Sequence, residues 1–238
     1  MLLPPTKSGD VLINTLAQFH LGLPIGTEIV APNSPPREPR AVVSGLPGLG
    51  AVGAGAASLL IEKSAVKPLI LRHIVMDHSL RTLFVNEHGV AEPSSYTLLY
   101  AETEGSSIPT LVFIGAFQPP SSTGQHRLAD LLLRAAKEMG AMSAFTLGGY
   151  HTRSVGRHRK VFVLPNDFQT YRACLDVGIR VTGGQVTGAA GIVAGLAKYH
   201  SLKGGCLLAE TDGETPDRAA SVSLYEKTVD LLECLYPS

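Results

Sequence analysis

Several short stretches of this chain hold residue types whose spacing could do chemistry. The first is Gly48-x-Gly50-x-x-Gly53, which follows the apolar run Ala41-Val42-Val43-Ser44 and opens a helix. Glycines there let a phosphate approach the backbone N–H groups of a helix N-terminus. Two features depart from a dinucleotide fingerprint. Gly45-Leu46-Pro47 stands between the strand and the first glycine, and Asp77, the nearest acid for a ribose hydroxyl, lies late. No Gly-Lys-Ser/Thr completes a triphosphate loop. The same glycines also suit a tight turn whose small residues let the helix pack close to the sheet.

A second stretch, His151 to Lys160, carries Arg153, Arg157, Arg159 and Lys160 with no acid. It could hold an anion or an acidic partner surface, or form a solvated loop. It follows Gly148-Gly149-Tyr150 at the carboxyl end of a strand, where open α/β sheets place their sites. A third, Thr182 to Gly188, sets Thr187 and Gly188 in a polar glycine loop that reads equally as ligand loop or turn. A fourth, Glu210 with Asp212, could be an acid/base pair or an acidic loop that helps cap the last helix. Gly-x-Ser-x-Gly and His-Glu-x-x-His are both absent, and the eight histidines are scattered. The three cysteines, Cys174, Cys206 and Cys234, form no Cys-x-x-Cys, which argues against structural zinc or a disulfide framework. We expect no catalytic constellation, no metal and no cofactor.

These stretches need a scaffold. Thr110 to Ile114 is a near-continuous apolar run, as in a strand buried on both faces. Ala144 to Leu147, Lys160 to Leu164 and Cys206 to Ala209 are further strands. Helices are expected over about 51–64, from a Ser122/Gln125 capping box to Met139, over 167–177, over 189–200, and from Thr215 as N-cap to the end. Strands alternating with helices imply a three-layer α/β sandwich with a mostly parallel sheet. Residues 67–104 read as a β-rich insertion in a single α/β domain over 41–238, and residues 1–40 as an irregular segment crowded with Pro32, Pro35, Pro36 and Pro39.

Composition bounds the function. The 238 residues are 45% hydrophobic and 17% charged, so the chain is globular, not disordered. Lys+Arg and Asp+Glu are both 20, and this zero net charge argues against a general nucleic-acid binder. No apolar run is long enough to span a bilayer, and Met1 to Pro5 lacks the pattern of a signal peptide, so a cytoplasmic protein without membrane contact is expected. Glycine stands out at 25 residues, about 11% against a usual share of about 7%.

The ordered set Val42 to Gly53, Gln118-Pro119-Pro120, Leu147 to Tyr150, Gly188-Ala189-Ala190-Gly191 and Gly205 to Thr211 resembles the proteasome assembly chaperone family, in the group of its second subunit with archaeal and bacterial members. The resemblance covers about Ala41 to Cys234. It implies a phosphorylase/hydrolase-like α/β sandwich that forms homo-oligomers and binds proteasome α-subunits without catalysis. The alternative is a nucleoside- or phosphate-binding protein or enzyme on the same fold. Some relatives insert a C-terminal hydrophobic–Tyr–residue tail between α-subunits. Here Leu235-Tyr236 is followed by two residues, which moves the terminal carboxylate by up to about 3.5 Å. Leu235 and Tyr236 also continue the apolar face of the last helix.

Overall fold

In chain order the strands are β1 (Thr27–Val30), β2 (Ala41–Gly45), β3 (Leu69–Val75), β4 (Leu83–Val85), β5 (Ala91–Pro93), β6 (Tyr96–Glu102), β7 (Pro109–Gly115), β8 (Ser143–His151), β9 (Val161–Pro165), β10 (Arg180–Val181) and β11 (Lys203–Thr211). The helices are α1 (Val52–Glu62), α2 (Ser122–Glu138), α3 (Phe168–Asp176), α4 (Gly188–Ala197) and α5 (Arg218–Leu235). This computed structural model describes residues 27–30, 33–76, 83–85, 89–105, 107–153, 155–156 and 158–237.

Nine strands form one sheet in the order β1-β3-β6-β7-β2-β8-β11-β9-β10, and β4 pairs with β5 in a separate ribbon. The central run β7-β2-β8-β11 is parallel throughout. Toward one edge, β6, β3 and β1 add antiparallel strands. Toward the other, β9 lies antiparallel to β11, and β10 parallel to β9. Strand β2 shows why the centre reads as unbroken apolar sequence. All five of its residues are buried, with Ala41 and Val43 in one core and Val42 in the other. The first core packs α1 and α5 against the sheet through Ala56, Ala57, Leu60, Leu224 and Leu232. The second packs α2 and α4 on the opposite face through Leu128, Leu132, Ala189 and Val193. The result is the three-layer α/β sandwich that the alternating pattern implies.

Several local expectations shift. The segment 1–40 is not irregular throughout, because Thr27–Val30 pairs with Arg72–Val75. A β-branched, threonine-bearing run satisfies its backbone on that sheet edge, a tertiary gain that composition does not reveal. Residues 1–26, with Pro32, lie outside the described residues. The N-cap of α2 is Ser121, not Ser122: its hydroxyl accepts from Gly124 N–H at 3.0 Å, while the Gln125 amide donates to the Pro119 carbonyl instead of closing a capping box. The N-cap of α5 is Asp217, not Thr215; its carboxylate accepts from Ala220 N–H at 3.0 Å.

Candidate functional site

The glycine loop after β2 is shaped by close contact between backbones. A Cβ on Gly45 would stand 2.2 Å from the Gly53 carbonyl oxygen and 2.5 Å from Ala57 Cβ. A Cβ on Gly53 would stand 2.2 Å from the Leu147 carbonyl oxygen of β8. One on Gly149 would stand 2.6 Å from the Leu49 carbonyl oxygen. Glycine at these positions brings the first turn of α1 down onto β2 and β8. Gly50 adds a conformational reason, with φ of 58° in the left-handed region. Its carbonyl accepts from Asp217 N–H at 2.8 Å, which ties the loop to the start of α5.

Beside this loop a cleft of about 610 Å³ opens at the carboxyl ends of β2 and β8, walled by the loop before α4. It brings together Gly48, Gly53, Gly148, Gly149, Tyr150, Thr187 and Gly188 of the residues singled out from sequence. Ser44 and Gln118 also line it, although neither belongs to a glycine loop. Gln118 is a strut. Its Nε2 donates to the Pro47 carbonyl at 2.8 Å, and its Oε1 accepts from Ala189 N–H at 3.0 Å. The two loops that flank the cleft are therefore held by one side chain. The Thr146 hydroxyl, donating to the Ala190 carbonyl at 3.0 Å, pins the same turn of α4 to β8. Gly188 has φ of 77°, and a Cβ there would stand 2.8 Å from Gln118 Oε1. The Tyr150 ring lies 5.1 Å from Phe162, tilted by 46°.

Other candidate residues are placed away from the cleft. Gly45 lies beneath α1, Pro47 contributes its carbonyl to Gln118, and Gly50 packs against Thr211. Glu210 is buried and engaged twice with Lys160: its carboxylate accepts from the Lys160 N–H at 3.2 Å and pairs with Nζ at 3.6 Å. Arg159, its side chain only 16% exposed, pairs with Asp217 at 3.1 Å. Burial pushes the Asp217 carboxyl up. Bonds from Ala220 N–H, the Thr211 hydroxyl and the Arg159 guanidinium outweigh it and hold the group below its ordinary value. Arg153 is exposed, and Arg157 lies outside the described residues. Leu235 and Tyr236 pack against the core of α1 and α5, and the Tyr236 hydroxyl lies 2.9 Å from Ser143 Oγ as its donor. Burial raises the thiols of Cys174 to about 12 and Cys206 to about 11, which keeps both protonated and unreactive. Among the described residues, no group of three or more His, Cys, Asp or Glu could hold a metal ion. No helix among them is long and apolar enough to cross a membrane.

A parallel-centred three-layer sandwich, with its cleft at the carboxyl ends of the central strands, places the molecule among α/β proteins of open-sheet type. Within that class the chain belongs to the PAC2 family, whose model matches residues 42–236. It is 30% identical over 194 residues to the uncharacterized protein MJ1210 of Methanocaldococcus jannaschii, covering 81% of this chain and 73% of that one. Its fold is similar to that of Pyrococcus furiosus PbaB, an archaeal proteasome activator, with a TM-score of 0.78 and 23% identity over 87% of this chain and 89% of PbaB. It is also similar to P. furiosus PbaA, an archaeal homolog of proteasome-assembly chaperone, with a TM-score of 0.70 and 20% identity over 87% and 85% of the two chains. Mycobacterium tuberculosis Rv2125, a proteasome-assembly chaperone homologue, gives a TM-score of 0.64 at 16% identity, over 81% of this chain and 85% of its own.

Proposed function

We propose that this chain is a non-enzymatic, cytoplasmic protein of the proteasome-assembly-chaperone kind that self-associates and binds proteasome α-subunits. The observation that carries the reading is membership of the PAC2 family across residues 42–236, in a fold shared with PbaA and PbaB. The engagement of the charged groups supports it. Glu210 is held by Lys160 and Arg159 by Asp217, so these groups serve the scaffold, not proton transfer. Zero net charge suits contact between proteins. The test is native mass spectrometry of the purified chain, alone and after pull-down of purified α-subunits at micromolar concentration. The expected spectrum contains an oligomer of this chain and a complex with α-subunits. A monomer alone, with no complex at that concentration, overturns the proposal.

A further inference from the structure

We propose that the exposed apolar face of the β4–β5 ribbon is the seat of the chain's own residues 11–25, which precede β1. The inference is independent of the proteasome reading. Leu83 and Val85 lie two apart in β4, so they share one face of the ribbon, and Ala91 stands opposite Val85 on that face. Leu83 is 64% exposed, Val85 70%, and Val90, just before β5, 42%. Ala91 is exposed as well. The ribbon forms a sheet of its own, and β4 and β5 pack chiefly on each other. A two-stranded ribbon alone is marginally stable at best in water, and packing on its apolar face is what stabilises it.

Strand direction fixes what lies within reach of that face. β3 is antiparallel to β6, and β6 to β7, so β3 ends at the carboxyl end of the central strands. The ribbon continues this β3–β6 hairpin. Leu83 pairs with Pro93, which stands three residues before Tyr96 and so within about 11 Å of it. β1 is antiparallel to β3, and its first residue, Thr27, pairs with Val75, the last of β3. The 26 residues ahead of β1 therefore join the sheet at the root of the ribbon. Pro24, Ile25 and Gly26 are linker enough, since Leu23, four residues before Thr27, lies within about 14 Å of it.

The sequence of that segment fits an apolar seat. From Val11 to Ile25, nine of fifteen residues are Val, Leu, Ile, Ala or Phe, and none is Lys, Arg, Asp or Glu. Leu12, Leu16, Phe19 and Leu23 are spaced as on one face of a helix. Leu83, Val85 and Ala91 against these side chains bury apolar surface on both sides and no charge on either. Tethering favours this segment over a second copy of the chain. A segment joined through three residues meets the ribbon at an effective concentration of about millimolar, whereas a second copy at micromolar concentration has to displace it.

The experiment sets the photo-crosslinking residue p-benzoylphenylalanine in place of Val85 in the full chain, in an equal mixture of unlabelled and heavy-isotope-labelled protein, and maps the products by mass spectrometry. Cross-links from that position into residues 11–25 of the same chain are expected. The same group in place of Tyr199, which is 85% exposed and precedes β11 at the amino end of the central strands, is expected to give none. Hydrogen exchange of the full chain carrying Leu16→Asp and Phe19→Asp is a second readout. The amides of residues 83–93 are expected to exchange about tenfold faster than in the wild type. Cross-links between a light and a heavy chain overturn the proposal in favour of a second copy. Cross-links that avoid residues 11–25, no cross-link at all, or unchanged exchange of the ribbon in the variant overturn it as well.

Discussion

Gly53→Ala and Gly195→Ala are the same substitution in two helices, and the structure gives them opposite signs. A Cβ on Gly53 would stand 2.2 Å from the Leu147 carbonyl oxygen. Carbon–oxygen contacts recur at about 3.3 Å or more, so the overlap is about 1.1 Å. The clash is with backbone in the central strand β8 and no rotamer relieves it. Helix α1 must lift, which also loosens the seat of its Gly53 and Ala57 on Gly45 of β2. Overpacking of this kind costs about 1–3 kcal/mol, and a rigid backbone neighbour places it at the top of that range. Alanine returns about 1 kcal/mol of helix propensity. The net loss is about 2 kcal/mol, or about 4–8 °C in Tm for a chain of this size. Around Gly195, on the exposed side of α4, a new Cβ meets nothing within 4 Å. There only the propensity gain remains, about 0.5–1 kcal/mol and a rise of about 1–4 °C. Urea and thermal unfolding of the two variants measure both signs. A Gly53→Ala protein as stable as the wild type would refute close backbone packing as the reason for the glycine excess.

Three further outcomes follow from individual contacts. Asp217→Asn keeps an N-cap acceptor but strands the Arg159 charge, so it is expected to cost about 2–4 kcal/mol at pH 7. Because the Asp217 carboxyl is held low in the fold, its contribution is present above its unfolded value of about 4 and is lost as pH falls through the folded value; urea midpoints of variant and wild type should therefore converge below about pH 4, and a constant gap contradicts the ion pair. Gln118→Ala removes two hydrogen bonds and is expected to cost about 1–3 kcal/mol and to speed hydrogen exchange around residues 46–49 and 188–190, which mass spectrometry resolves. Cys234 is exposed whereas Cys174 and Cys206 are buried, so an aromatic disulfide reagent at pH 8 should titrate one thiol rapidly in the native protein and three in denaturant.

The centre of the sheet was legible because its strands are apolar on both faces: Thr110 to Ile114 and Ala41 to Val43 allow little else. The edges were less so. Thr27–Val30 is too short to announce itself, and only its pairing with β3 makes it a strand. The cap of α5 illustrates the same limit. Thr215-Pro216 and Asp217 both fit local rules, and what favours Asp217 is Arg159, 58 residues away. The spacing of Gly48, Gly50 and Gly53 was visible, but its use depends on the approach of α1 to Leu147 in β8. Gln118 carried no local signal as a site residue, since its partners, Pro47 and Ala189, lie 71 residues to either side. Glu210 likewise reads as a free acid until β9 brings Lys160 beside it.

The most direct test of the proposed role is an isothermal titration of purified proteasome α-subunits into the full chain, with Gly53→Ala as a second sample in the cell. Saturable binding with a dissociation constant in the micromolar range or tighter is predicted for the wild type, and weaker binding for the variant whose scaffold is loosened. The absence of any binding heat with folded wild-type protein, at concentrations up to about 100 μM and at two temperatures, would contradict it.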